Sequence, residues 1–171
     1  MNSSTYSVKD ITKTAMMAAI TFIGIYTVKI PSFHGYSHMG DCMIFLSVLI
    51  LGTRKGALAG GIGAALSDLL GGYMHWVIPT FIIKYIMATV MGLFIDKIMP
   101  NRKGNWLIGS IVGGIVQIIL YTVFKVFLFD WAYAIGGVPG LTSQTITGVV
   151  LATVLVVLFN KAGIMQKLRE M

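Results

Sequence analysis

The sequence predicts a single all-α membrane domain over residues 1–171, a bundle of six transmembrane helices with both termini in the cytoplasm. Three observations predict it. The 171 residues are 56% hydrophobic and only 11% charged, whereas a soluble domain carries about a quarter charged residues to face water. Mean hydropathy is +0.84, which suits a chain whose main solvent is hydrocarbon. The basic residues also fall mostly in short gaps between apolar runs, where cytoplasmic loops retain Lys and Arg during insertion.

A helix that crosses lipid needs about 20 residues at a rise of about 1.5 Å each. Six runs bounded by charge, Gly or Pro approach or meet that length: residues 11–29, 40–52, 56–70, 78–98, 105–129 and 142–160. The first follows Lys9 and Lys13 as a signal peptide would. No small-x-small cleavage site follows it and further apolar segments come after, so it reads as a retained span. The second and third are short enough to tilt, to begin inside neighbouring loops, or to form a hairpin that does not fully cross. Removing two consecutive crossings leaves the side assigned to every other segment unchanged.

With the amino terminus inside, the inner segments hold Lys9, Lys13, Arg54, Lys55, Lys97, Arg102, Lys103, Lys161, Lys167 and Arg169, ten of the thirteen basic residues. Lys29, Lys84 and Lys125 remain outside. The net charge of +7 is therefore read as loop charge, and nucleic acid is not an expected partner. A single Cys42 rules out an internal disulfide. Gly52, Gly56, Gly60 and Ala64 recur at steps of four, and Gly109 and Gly113 do the same, so each set offers a face where another helix can approach closely. No convincing internal repeat argues for a self-contained inverted-repeat transporter.

Polar residues sort by depth once orientation is set. Asp41, Asp68 and Asp130 lie outward, with Lys29, Lys84, Lys125, His34, His38, His75, Tyr36, Tyr73, Trp76, Trp131 and Tyr133. The inner ends have no comparable collection. Ionisable groups in or near a span are costly unless paired or hydrated, and they tend to face a bundle interior or a water-filled cavity. Lys84, a helical step of four after Thr80, is either an internal ion pair with Asp68 or Asp41 or a cavity residue that meets a ligand. Gln117, Tyr121 and Lys125, also at steps of four, stack on one face. They serve interhelical hydrogen bonding with Lys125 snorkelling outward, or one wall of a pocket.

Trp76 and Trp131 fit an interfacial aromatic belt. The run Gly71 to Trp76 nevertheless forms one compact loop between the helices of Asp68 and Lys84, and it supplies the aromatic and polar groups a small-molecule site needs. The candidate substrate-binding set is His38, Asp41, Asp68, Tyr73, His75, Trp76, Lys84, Gln117, Tyr121, Lys125, Trp131 and Gln144. His38 and Asp41 alone make a weak metal site, so no metal is expected. The chain has no HExxH, GxSxG or P-loop, hence no sequence basis for hydrolysis or for a nucleotide cofactor of its own.

Six apolar segments, inner termini and the run Ala15-Met16-Met17-Ala18-Ala19 on the first helix resemble the S components of energy-coupling factor (ECF) transporters. His38-Met39-Gly40-Asp41, Gly56-Ala57-Leu58-Ala59-Gly60-Gly61, Ser67-Asp68-Leu69-Leu70-Gly71-Gly72-Tyr73 and Lys84 are similar to the riboflavin-type branch, which includes proposed pyridoxine and hydroxymethylpyrimidine carriers. The resemblance implies capture of a water-soluble vitamin or precursor from outside, followed by toppling of the whole subunit in the membrane. It implies partners too: a transmembrane coupling subunit, docked on Ala15 and Ala19, and two ATPases that hydrolyse the ATP. A single-ring vitamin is favoured over riboflavin. Two rival readings remain, a stand-alone proton- or ion-coupled carrier using Lys84, Asp68 and Asp41, and a membrane enzyme using His38, Asp41 and His75.

Overall fold

The computed structural model describes residues 7–27, 29–32 and 35–170, with side chains of 29–32, 35–37 and 170 left aside. His34 therefore lies outside the described residues, and Lys29 and Tyr36 are described in backbone only. Helix α1 spans Val8–Tyr26, α2 Gly40–Leu51, α3 Thr53–Leu70, α4 Val77–Leu93, α5 Asn105–Leu128 and α7 Val138–Lys161. Two shorter helices, α6 (Trp131–Gly136) and α8 (Ile164–Glu170), complete the set. Stretches Met74–Ile98, Asn105–Leu128 and Trp131–Lys161 are long and apolar enough to cross a bilayer by length and composition, while Gly40–Leu51 is apolar but shorter.

The helical prediction holds for the bundle, with corrected boundaries. Ser7 caps α1 by accepting from the Asp10 N–H at 3.2 Å, so the helix starts at Val8, three residues before the predicted 11. It also stops earlier. Lys29 belongs to strand β1 (Lys29–Ser32), which pairs antiparallel with β2 (Gly35–His38) in register Lys29 to His38. That hairpin was not predicted, because Pro31 and the short run weaken any strand signal. The sixth segment begins at Val138 with Pro139 in its first turn, where a missing N–H costs nothing, and it is preceded by α6.

Small residues set the helix spacing. A Cβ on Gly56 would lie 2.5 Å from the Val48 backbone and one on Gly60 2.6 Å from Ile44, so α3 folds back on α2 along the predicted small-residue face. Only Gly52 separates the two helices, at φ +79°, a left-handed conformation that glycine adopts without strain. Gly109 and Gly113 approach the carbonyls of Met91 and Met87 in the same antiparallel way, joining α5 to α4. Gly63 meets the Ala18 carbonyl of α1, and Lys55 pairs with Asp10 at 2.5 Å, so α1 and α3 run parallel. The six longer helices thus alternate in direction. The hairpin, the turn Met74–Trp76 and α6 gather at one end, and the start of α1 and α8 lie at the other, where Arg169 donates to the Leu49 carbonyl at 2.9 Å.

A polar knot crosses the apolar core and joins α2, α4, α5 and α7. Lys84 of α4 donates to Asp41 Oδ1 at 2.5 Å and to Gln117 Oε1 at 2.6 Å, and its Nζ lies 5.6 Å from the centre of the Tyr121 ring. Gln117 of α5 turns its amide nitrogen to Asp41 Oδ2 at 2.7 Å and Thr145 Oγ1 at 2.8 Å. Gln144 of α7 also donates to Asp41 Oδ2, at 3.2 Å. Lys84, Asp41 and Gln117 have no exposed surface. Asp41 stands in the first turn of α2, where the positive end of the helix dipole favours a carboxylate. Of the two acids the sequence offered to Lys84, Asp41 is the one that pairs.

Removing one member leaves the other buried and uncompensated, at a cost of about 3–5 kcal/mol. Asp41→Asn and Lys84→Met should each lower the thermal midpoint of the purified protein sharply. The double variant should recover much of that loss. Unfolding midpoints of the four proteins in one detergent check it, and additive losses would mean the pair is not coupled.

Candidate functional site

A cavity of about 380 Å³ opens at the hairpin end of the bundle. Its walls come from almost every element. Ile25 of α1, His38 of β2, and Ala64 and Asp68 of α3 form one side; Tyr121 and Lys125 of α5, Phe129, Tyr133 of α6, and Leu141 and Gln144 of α7 form the other. Tyr73, His75, Trp76 and Thr80 close it between them.

Local rules aim these side chains. Helix α3 ends in a Schellman motif, with Gly72 at φ +82°, Tyr73 N–H donating to the Asp68 carbonyl at 2.8 Å and Gly72 N–H to that of Leu69 at 3.3 Å. The turn reverses the chain at once, so Trp76 starts the next helix facing the aromatic groups of α5. Trp76 lies 5.9 Å from Tyr121, 5.8 Å from Phe124 and 6.4 Å from Phe129, centre to centre. Phe129 in turn sits 4.5 Å from Tyr133. Asp130 holds this corner, accepting from the Tyr133 N–H at 2.7 Å as the cap of α6.

The floor of the cavity is the roof of the polar knot. Tyr121 donates to Thr80 Oγ1 at 3.1 Å, and both residues are buried yet line the hollow. Gln144 belongs to both sites, since it borders the cavity and holds Asp41. His38, the last residue of the hairpin, accepts from the Gly40 N–H through Nδ1 at 3.2 Å, just before Asp41. The arrangement is aromatic on its flanks, polar at its base and open at its mouth. Such a container suits a flat polar molecule.

Of the twelve residues predicted from sequence, His38, Asp68, Tyr73, His75, Trp76, Tyr121, Lys125 and Gln144 line this cavity. Asp41, Lys84 and Gln117 lie beneath it in the knot. Trp131 stands apart, 67% exposed as the first residue of α6. Lys125 does not snorkel to the surface; it is 8% exposed, with Nζ 5.9 Å from the centre of the Tyr133 ring. Wall residues outside the predicted set are Phe129, Tyr133, Thr80, Leu141, Ile25 and Ala64. Thr80 was signalled by its spacing from Lys84 and Tyr133 by its outward depth; the other four are apolar residues that periodicity cannot separate from lipid-facing ones.

A second concavity, about 540 Å³ and almost wholly apolar, runs along α1 and α3. Ala15, Ala18, Ala19 and Phe22 face Leu58, Ile62, Leu66 and Leu70 across it. The absence of larger side chains at Ala15 and Ala19 creates the groove.

The chain is similar in sequence to known proteins. Over 167 residues the chain is 28% identical to the thiamine precursor transporter HmpT of Lactococcus lactis subsp. cremoris, covering 96% of this chain and 95% of that protein. It is also 31% identical over 124 residues to an uncharacterized protein in the gap 3′ region of Pyrococcus woesei, covering 72% of this chain and 82% of that one. The family model of the ECF-type riboflavin transporter S component matches residues 5–161. An apolar helical membrane protein with a polar cavity at one end, the chain belongs to the family of ECF-type riboflavin transporter S components.

Proposed function

We propose that this chain is the substrate-capture subunit of an ATP-driven vitamin importer, and that the cavity at the hairpin end takes a single-ring water-soluble vitamin or precursor of the pyridoxine or hydroxymethylpyrimidine type. The cavity itself carries this reading. Trp76, Phe129 and Tyr133 supply ring faces for stacking, while Tyr121, Thr80, Gln144, His38 and Asp68 supply hydrogen-bonding groups for the rim of a heterocycle. Full-length similarity to a thiamine precursor transporter supports the same class of ligand. The knot of Asp41, Lys84 and Gln117 acts from below, holding Tyr121 and Gln144 in place.

In this reading the six longer helices cross the plasma membrane of a prokaryotic cell, the cavity faces outward and both termini face the cytoplasm. The basic residues support that orientation, since Arg54, Lys55, Lys97, Arg102, Lys103, Lys161, Lys167 and Arg169 occupy the end away from the cavity. The groove at Ala15 and Ala19 receives a transmembrane coupling subunit. Two cytoplasmic ATPases hydrolyse the ATP, this chain binds no cofactor of its own, and toppling of the loaded subunit delivers the ligand.

Two measurements test the proposal. Denaturing protein purified from a vitamin-replete host should release one heterocycle identifiable by mass spectrometry; riboflavin would correct the ligand, and release of none together with uptake driven by a proton gradient without ATP would overturn the reading. Ala15→Trp with Ala19→Trp should leave ligand affinity within about threefold while reducing uptake to background, because the groove and the cavity have separate walls. Normal uptake by that variant would remove the docking face.

A further inference from the structure

Lys125 is 8% exposed and lines the cavity, and among the described residues the ion pairs are Lys55 with Asp10 and Lys84 with Asp41. The Tyr133 ring gives its Nζ partial compensation. Asp68, the acid on the cavity wall, stands on α3, whereas Lys125 reaches the same cavity from α5. Asp130 is committed to the cap of α6.

The contrast with Lys84 is instructive. That ammonium, about two turns deeper in the bundle, is answered by a carboxylate, an amide oxygen and a ring. An ammonium largely removed from water is costly until a counter-charge answers it. A Cβ on Gly137 would collide with the Lys125 Nζ, which places the ammonium against the junction of α6 and α7.

Gly137 joins α6 to α7, closing the first and opening the second, so the ammonium sits at a helix junction beside the cavity. Leu141, one turn into α7, lines the cavity beside Lys125. A neutral hydroxyl would satisfy one hydrogen bond there and leave the ammonium's charge unanswered. An anion answers the hydrogen bond and the charge at once.

We infer that the ligand carries an anionic substituent, a carboxylate or a phosphate, which pairs with Lys125 beside the junction of α6 and α7. This rests on the capture role proposed above and narrows it: the favoured ligand is the acidic or phosphorylated derivative of a single-ring heterocycle, with the ring between the aromatic walls and any donor groups toward Asp68. Lys125 then determines specificity for charge.

The test uses three probes that share one ring: hydroxymethylpyrimidine, the corresponding pyrimidine carboxylate, and hydroxymethylpyrimidine monophosphate. Binding is titrated to the full chain in lipid nanodiscs by calorimetry. The wild type should prefer one anionic probe over the alcohol by about 10- to 100-fold, the usual range for hydrogen bonds to a charged group; which anion wins identifies the substituent. Lys125→Met should erase the preference, and Lys125→Arg should retain most of it, which separates lost charge from misfolding. Tighter binding of the alcohol than of both anions would overturn the inference and leave vitamin capture standing. So would a preference that survives in Lys125→Met. Binding of none of the three, with no heterocycle released on denaturation, would overturn both.

Discussion

The buried pair of Asp41 and Lys84 is the contact on which the rest of this bundle depends. It is the point where α2, α4, α5 and α7 are all polar at the same depth. Charges in such a place are tolerated only when every donor and acceptor is answered, and here the answers come from four helices. Lys84 gives hydrogen bonds to Asp41 and Gln117 and rests near Tyr121, while Gln117 presents oxygen to the ammonium and nitrogen to the carboxylate. The reverse amide orientation would set like against like. Register is therefore specified: sliding α4 by one turn would separate the pair and expose both groups to hydrocarbon.

From this knot the cavity follows. Gly148 of α7 lies so close to α2 that a Cβ there would be 2.6 Å from Asp41 Cβ, and one turn earlier Gln144 reaches down to the carboxylate. Tyr121 is one turn above Gln117, and Thr80 one turn above Lys84. Each helix that contributes to the knot thus presents its next inward residue as floor. Above that level the small residues that bring α4 to α5 and α2 to α3 give way to Trp76, Phe129 and Tyr133, whose bulk keeps the helices apart. The hollow is what remains between a tightly tied waist and a wide aromatic rim.

The sequence reveals the ties more readily than the rim. Lys84 and the stripe of Gln117, Tyr121 and Lys125 stand out because a charge or amide in an apolar run is conspicuous, and Gly56, Gly60 and Ala64 because their spacing matches a helix face. The partner of Lys84 could not be read, since Asp41 lies 43 positions away and Asp68 has a similar outward depth. Trp76 and Trp131 are equivalent as sequence, each an aromatic at an interface. Their fates diverge through neighbouring turn chemistry: Gly72 reverses the chain so that Trp76 faces α5, while Asp130 caps α6 and leaves its first residue, Trp131, outside. Phe129 and Leu141 carry no signal at all, because an apolar residue facing a hollow and one facing lipid have the same composition and period.

The cavity and the apolar groove share two helices but not their lining residues. Ile25 of α1 and Ala64 and Asp68 of α3 border the cavity, while Ala15, Ala19 and Phe22 of α1 and Leu58, Ile62 and Leu66 of α3 border the groove. Between these zones Gly63 lies against the Ala18 carbonyl, where a Cβ would be only 2.5 Å away, so the parallel pair is packed backbone to backbone. The opposite cavity wall belongs to α5 and α7, which are fastened to α4 and to Asp41 by the knot. No described side chain lines both hollows, so bulk added at Ala15 and Ala19 fills the groove without touching the cavity lining.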